Sequence, residues 1–267
     1  MTHSESMTAD NQYTIILGAE GEMGRAMARE IARKGCHLLL VSTSKADLQR
    51  FAIGLQLKEE VTVDAVKLRL EERDEVLRFV ERVKEQYEVR ALISNITCDW
   101  SIRNEQCVSG LDREDFISRF QGMALIISSL LPQLTKMSAS YIQHIIPLPF
   151  RREHLSPDIQ HAISKMHAYA RGMEEELKNT PVSVSTLHPA PIHSLVPRIS
   201  EEGELIRQEV PMTPATVAMK AVNGMLRGDR LIIPGFWNKV SFYLTRHASS
   251  LFRASELSLG SNLQPSV

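Results

Sequence analysis

Near its start the chain reads Gly18-Ala-Glu-Gly21-Glu-Met-Gly24, with a glycine at every third position. Set between an apolar β-rich run and a helical one, this spelling suits the diphosphate of a dinucleotide. The first glycine permits a tight turn at a strand end. The second lets backbone approach the pyrophosphate, and the third lets the helix pack close to the strand. The helix N-terminus, through Gly21, Glu22, Met23 and Gly24, then offers unpaired N–H groups and a positive dipole end. The competing reading is a turn that needs glycines for its own geometry. Glu20 and Glu22 add negative charge beside the expected phosphates, which works against tight binding.

The end of the second strand discriminates a ribose 2′-hydroxyl from a 2′-phosphate. It reads Val41-Ser42-Thr43-Ser44-Lys45. No carboxylate is present, so NAD(H) is disfavoured. Ser42, Thr43 and Lys45 suit the 2′-phosphate of NADP(H). Equally, Ser44 caps the next helix and Lys45 is solvated.

The elements that must hold these residues follow from periodicity. Strands are expected at 13–18, 37–41, 61–66, 91–94, 141–146, 182–187 and 231–233. Helices are expected at 23–34, 46–57, 72–87, 112–135 and 157–178, with another opening at Thr213 and Pro214. Gly35 closes the first helix, and 188–212 reads as a loop. Residues 236–252 repeat apolar side chains at helical spacing and read as a docked C-terminal helix. Alternating strands and helices predict an α/β, doubly wound fold: a seven-stranded parallel sheet with helices on both faces. One domain is expected over 12–253, with flexible ends at 1–11 and 254–267.

Further motifs fall in a telling order. Leu92-Ile-Ser-Asn95 ends the fourth strand, Leu130-Leu131-Pro132 ends one long helix, and His161-Ala-Ile-Ser-Lys165 opens another. His188-Pro189-Ala190, Thr213-Pro214-Ala215 and Ile233-Pro234-Gly235 follow. With the glycine loop they make the chain resemble the short-chain dehydrogenase/reductase family. The resemblance implies a Rossmann fold, a nicotinamide cofactor, hydride transfer between carbonyl and alcohol, and a homodimer or homotetramer built on the two long helices. It puts the family's lysine at Lys165, where it holds the ribose, and the cofactor-contacting asparagine at Asn95. The catalytic tyrosine falls at His161 and the serine at Leu148, between Pro147 and Pro149. The helix asparagine falls near Arg119, and the aspartate that approaches adenine falls at Arg69.

The candidate catalytic pair is thus His161 and Lys165, one helical turn apart on one face. An imidazole has the right range for proton transfer near neutral pH. A neighbouring ammonium favours its neutral form, and it is shorter than a phenol. The expected activity is weak or atypical carbonyl/alcohol hydride transfer. The alternative is a catalytically inactive binding or scaffold subunit. Tyr169 shares the face and reads as core packing with a surface hydroxyl. His144 reads as a packed histidine. His188 and His193 lack the spacing of metal ligands, so no metal is expected.

Apolar residues make up 43% of the chain and charged residues 24%, with a net charge of −1. This suits a full core and gives no basic excess for nucleic acid. Cys36, Cys98 and Cys107 have no metal-ligand spacing and fit free thiols in a reducing compartment. No signal peptide is read, and no apolar run approaches the roughly 20 residues of a membrane span. A cytoplasmic location is expected. The small-molecule substrate is not specified.

Overall fold

The computed structural model describes residues 12–43, 45–96, 113–146, 157–189, 193–199 and 205–235. The expected ends at 1–11 and 254–267, the helix at 236–252, Ser44, Leu148, Cys98 and Cys107 lie outside the described residues, as do the side chains of Lys45 and His193.

Nine strands and six helices are described: β1 (Gln12–Leu17), α1 (Glu22–Arg33), β2 (His37–Ser42), α2 (Lys45–Glu59), β3 (Val63–Lys67), α3 (Arg73–Gln86), β4 (Glu88–Ser94), α4 (Arg113–Leu134), β5 (Ser140–Ile145), α5 (Pro157–Leu177), β6 (Val182–Leu187), β7 (His193–Ile199), β8 (Leu205–Pro211), α6 (Pro214–Leu226) and β9 (Leu231–Ile232). Seven strands form one sheet in the order β3-β2-β1-β4-β5-β6-β9. Every pairing within it is parallel. The expected doubly wound sheet is therefore present.

Strand alternation divides the core between the two faces of the sheet. Ile16, Leu38, Leu40 and Ile93 pack with Met27, Ile31, Val222 and Met225 from α1 and α6. Ile15, Leu17, Leu39 and Leu92 pack with Val76, Phe79, Ile126, Leu130 and Met166 from α3, α4 and α5. Such strands are covered on both sides, which is why they read as unbroken apolar runs.

The punctuation acts as expected at two helix ends. Gly35 has φ +77° and its N–H donates to the Ala32 carbonyl at 2.8 Å, closing α1. Thr213 caps α6, its Oγ1 accepting from the Thr216 N–H at 3.2 Å.

Two expectations are corrected. Residues 188–212 are not simply a loop, because β7 and β8 within them pair as an antiparallel hairpin. Pro197 and Pro211 both lie in the ribbon. A two-stranded ribbon is all edge, so proline's missing donor costs it little. β4 also begins at Glu88 rather than Ala91. Arg90 is buried there because its Nε donates to the Ala139 carbonyl at 3.1 Å and its Nη1 to Gln12 Oε1 at 3.1 Å. Among the described residues, no helix is long and apolar enough to cross a membrane.

Candidate functional site

From β1 the sheet runs through β2 to β3 on one side and through β4 to β9 on the other. The carboxyl ends of β1 and β4 therefore flank the topological switch point, where doubly wound sheets bind ligands. Gly18 follows β1 and Asn95 follows β4.

Close backbone approach explains two of the three glycines. Gly18 has φ +77°, and a Cβ there would lie 2.1 Å from the Asn95 carbonyl oxygen. A Cβ on Gly24 would lie 2.4 Å from the Gly18 oxygen and 2.8 Å from Ala19 Cα. Gly21 has ordinary extended geometry, φ −74° and ψ 166°, as the residue preceding α1. Its carbonyl accepts from the Arg25 N–H at 2.9 Å.

The loop's donors divide sharply. The N–H groups of Gly18 and Ala19 both donate to the Val41 carbonyl at 3.0 Å, tying the turn to β2. The N–H groups of Glu22, Met23 and Gly24 have no acceptor among the described residues. They are the orphan donors of a helix start, and neither nearby carboxylate takes them. Glu22 is exposed, while Glu20 is half-buried with its Oε2 enclosed and unpartnered. Arg25 Nε donates to the Glu20 carbonyl at 2.9 Å, bracing the turn from the helix.

Asn95 serves this loop first. Its Nδ2 donates to the Gly18 carbonyl at 3.1 Å, and its Oδ1 is buried without a partner. At the end of β2, Ser42 is 3% exposed and its carbonyl accepts from the Leu68 N–H at 2.9 Å. Thr43 is exposed.

The catalytic candidates sit differently. His161 and Lys165 are both exposed on α5, and among the described residues neither has a hydrogen-bond or ion-pair partner. Ala162, Ile163 and Met166 turn the opposite way, into the core. One turn beyond Lys165, Tyr169 is half-buried and meets Phe120 and His144 edge-on, with ring centroids 5.2 and 5.6 Å apart. Burial, with Glu176 adding to it, pushes its phenol up to about 12.

The sequence reading missed a buried polar pair. His144 Nδ1 lies 2.8 Å from Ser94 Oγ, and its Nε2 has no partner. Burial drives this imidazole down to about 4. The signal was register: Ser94 and His144 are direct partners across β4 and β5. His188 is likewise buried and donates from Nδ1 to the Ile146 carbonyl at 2.7 Å. Its pKa falls to about 4, chiefly through burial and further through His167, whose ring lies 4.8 Å away. Both histidines are therefore neutral at pH 7. Among the described residues no cluster of His, Cys, Asp or Glu suits a metal.

A sequence model of the short chain dehydrogenases matches residues 12–144, the span that carries the glycine loop, Asn95 and the switch point. The chain belongs to the short-chain dehydrogenase/reductase family. A relative described as a dehydrogenase/reductase SDR family protein 7-like, from Drosophila melanogaster, is 23% identical over 90% of this chain and 78% of its own. An uncharacterized oxidoreductase of Staphylococcus saprophyticus is 21% identical over 67% of this chain and 77% of its own. Among solved structures, the bulky-bulky ketone specific alcohol dehydrogenase of Comamonas testosteroni superposes with a TM-score of 0.68 at 16% identity, covering 97% of this chain and 98% of its own. A short-chain dehydrogenase from Sphingobium yanoikuyae in complex with NADPH gives 0.66 at 19%, covering 96% and 98%. At these identities the solved neighbours establish the fold of this family member.

Proposed function

We propose that this family member binds NADP(H) in the crevice above β1 and β4 and supports weak or atypical hydride transfer between a carbonyl and an alcohol. One observation carries the reading. The amides of Glu22, Met23 and Gly24 are unclaimed at a turn whose flanking glycines leave no room for a Cβ. Donors so arranged fit a diphosphate, and the buried Asn95 Oδ1 fits a ribose hydroxyl. The bound nicotinamide would supply or accept the hydride. Lys165 would hold the ribose, and His161 would hold the transferable proton at the position of the family's tyrosine. The absence of a carboxylate at Ser42 and Thr43 supports NADP(H) over NAD(H), with Thr43 the exposed hydroxyl of the two. The same reading takes the protein as one domain over 12–253, acting in the cytoplasm as a homodimer or homotetramer joined through α4 and α5.

A second reading is a binding or scaffold subunit that grips a dinucleotide without turning over. It is favoured by the exposure of His161 and Lys165, to which the described residues offer no positioning partner.

The two readings separate on titration of NADPH and NADH into the purified protein, followed by nicotinamide fluorescence and melting temperature. The expected result is binding that favours NADPH, then carbonyl-dependent NADPH oxidation that His161→Ala abolishes. Binding without oxidation across a carbonyl panel selects the scaffold. No response to either nucleotide removes both. Oxidation that persists unchanged in His161→Ala retains the enzyme and dismisses His161 as its acid.

A further inference from the structure

A cleft of about 470 Å³ opens at the free edge of the sheet. Its walls come from the end of β3 (Val66, Lys67), the segment after it (Leu68, Arg69), and α3 (Glu75, Arg78, Phe79, Arg82). β3 is the outermost strand, with β2 between it and β1, whose end carries the dinucleotide turn. Leu68 and Phe79 are buried and Val66 partly so, which gives the cleft an apolar floor.

The charges on the rim do not cancel. Arg69 is neutralised by carboxylates, its Nη2 lying 2.5 Å from Glu75 Oε1 and its Nη1 3.2 Å from Glu72 Oε1. Glu75 is thereby engaged twice, since its Oε2 also accepts from the Arg69 N–H at 3.2 Å. Lys67, Arg78 and Arg82 are exposed, and among the described residues none forms a close ion pair or donates a side-chain hydrogen bond, although the Arg78 charge acts on Glu75. Arg78 and Arg82 stand one turn apart, so α3 projects both from one face. Packing of Gly122 against the Leu70 carbonyl braces the adjoining segment, because a Cβ on that glycine would lie 2.0 Å from the oxygen. The rim is thus a fixed frame whose four basic side chains outnumber the Glu72 and Glu75 carboxylates by two, on a chain whose net charge is −1.

We propose that this cleft is a second binding site, for a small organic polyanion carrying phosphate or several carboxylates. Paired guanidiniums match the planar, bidentate geometry of both groups. A cleft of this volume takes a small molecule, and the ring of Phe79 with Val66 and Leu68 gives its carbon frame a surface. The excess of positive charge gathers anions from solution. The proposal does not depend on catalysis at α5; Lys67 is the register partner of Ser42, so the cleft adjoins the dinucleotide crevice while its ligand is held from the α3 side.

Inorganic pyrophosphate and citrate serve as the two probes, titrated calorimetrically into the full chain at low salt and again at about 0.15 M salt. At least one is expected to bind at both. Arg78→Gln with Arg82→Gln should weaken that binding roughly tenfold or more, the scale of losing charge-assisted hydrogen bonds. Lys84→Gln, an exposed charge on the same helix outside the cleft, should change it less than about twofold, as one screened charge does. NADPH affinity should be the same in all three proteins. A response to pyrophosphate alone identifies phosphate as the preferred group, and a response to citrate alone identifies carboxylates. The proposal is overturned by the absence of binding to either probe, by equal losses in both variants, or by competition between the bound probe and NADPH. Failure of NADPH to bind leaves the cleft's result intact and condemns only the function proposed for the glycine loop.

Discussion

The glycine loop and the exposed row on α5 are both candidate sites, yet they are specified in opposite ways. At the loop the backbone is the functional surface, and steric exclusion fixes its residue types. Gly18 cannot take a Cβ against the Asn95 carbonyl, and Gly24 cannot take one against Gly18. On α5 the side chains His161 and Lys165 project from an ordinary helix, and nothing described around them dictates their identity. A site made of backbone is therefore bound to fold stability, whereas a site made of exposed side chains is free to drift. A loss of the family's tyrosine at His161, as we propose, beside a sterically fixed turn is what that difference leads one to expect.

The strongest way to break this contrast is Gly18→Ala. The left-handed backbone costs an ordinary residue about 1–2 kcal/mol, and crowding against a rigid carbonyl adds about 1–3. A loss of about 2–5 kcal/mol is expected, a fall of roughly 10 °C in melting temperature for a domain of this size. NADPH binding should disappear with it. Gly24→Ala should cost about 1–3 kcal/mol by crowding alone. If either variant melts with the parent protein by scanning calorimetry, the loop is not sterically fixed and the contrast fails.

The second test lies beneath the α5 row. His144 and His188 are held neutral, their pKa values lowered by burial to about 4. In the unfolded chain they take protons near pH 6.5. Between about 6.5 and 4 the unfolded state binds more protons, so stability rises with pH there. Their contribution is complete above pH 6.5 and is lost as the pH falls toward 4, on the order of 3 kcal/mol for each. Melting temperature should decline through this window and stay level just above it. His144→Gln should flatten the decline. An unchanged slope would mean that the imidazole protonates in place, and that the face beneath α5 is not sealed.

These two regions also mark what the sequence could disclose. The large parallel sheet was legible because β1, β2 and β4 are covered on both sides and show as apolar runs between glycine and helix signals. The loop was legible for a related reason, since exclusion of every side chain but hydrogen leaves a visible spelling. The β7–β8 hairpin was hidden by proline, which argues against strands except at edges. The first residues of β4 were hidden by Arg90, whose burial rests on bonds to Gln12 of β1 and to Ala139 just before β5, both distant in sequence. The Ser94–His144 pair was hidden because it depends on the register of two strands, information no local pattern contains. The cationic cleft was hidden too, since Lys67, Arg78 and Arg82 read singly as solvated surface charges.

Smaller effects sharpen the contrast by their sign. Gly172 lies on α5, and a Cβ there meets nothing within 4 Å. Gly172→Ala should stabilise the protein by about 0.5–1 kcal/mol, through helix propensity and a less flexible unfolded chain. Gly24→Ala, also within a helix, should act in the opposite direction because backbone already fills its space. A pair of melting curves decides this, and equal signs would show that helix propensity rather than close approach governs both positions.

The smallest expected change is the most discriminating for α5. His161→Ala and Lys165→Ala remove exposed side chains with no described partner, so each should alter stability by less than about 0.5 kcal/mol. Under the enzyme reading, Lys165→Ala should nonetheless weaken NADPH binding, and His161→Ala should remove oxidation while sparing binding. Function and stability would then separate on α5 and coincide at Gly18. A marked fall in melting temperature for either α5 variant would mean that the side chain has a structural partner, and the row would no longer be free to drift.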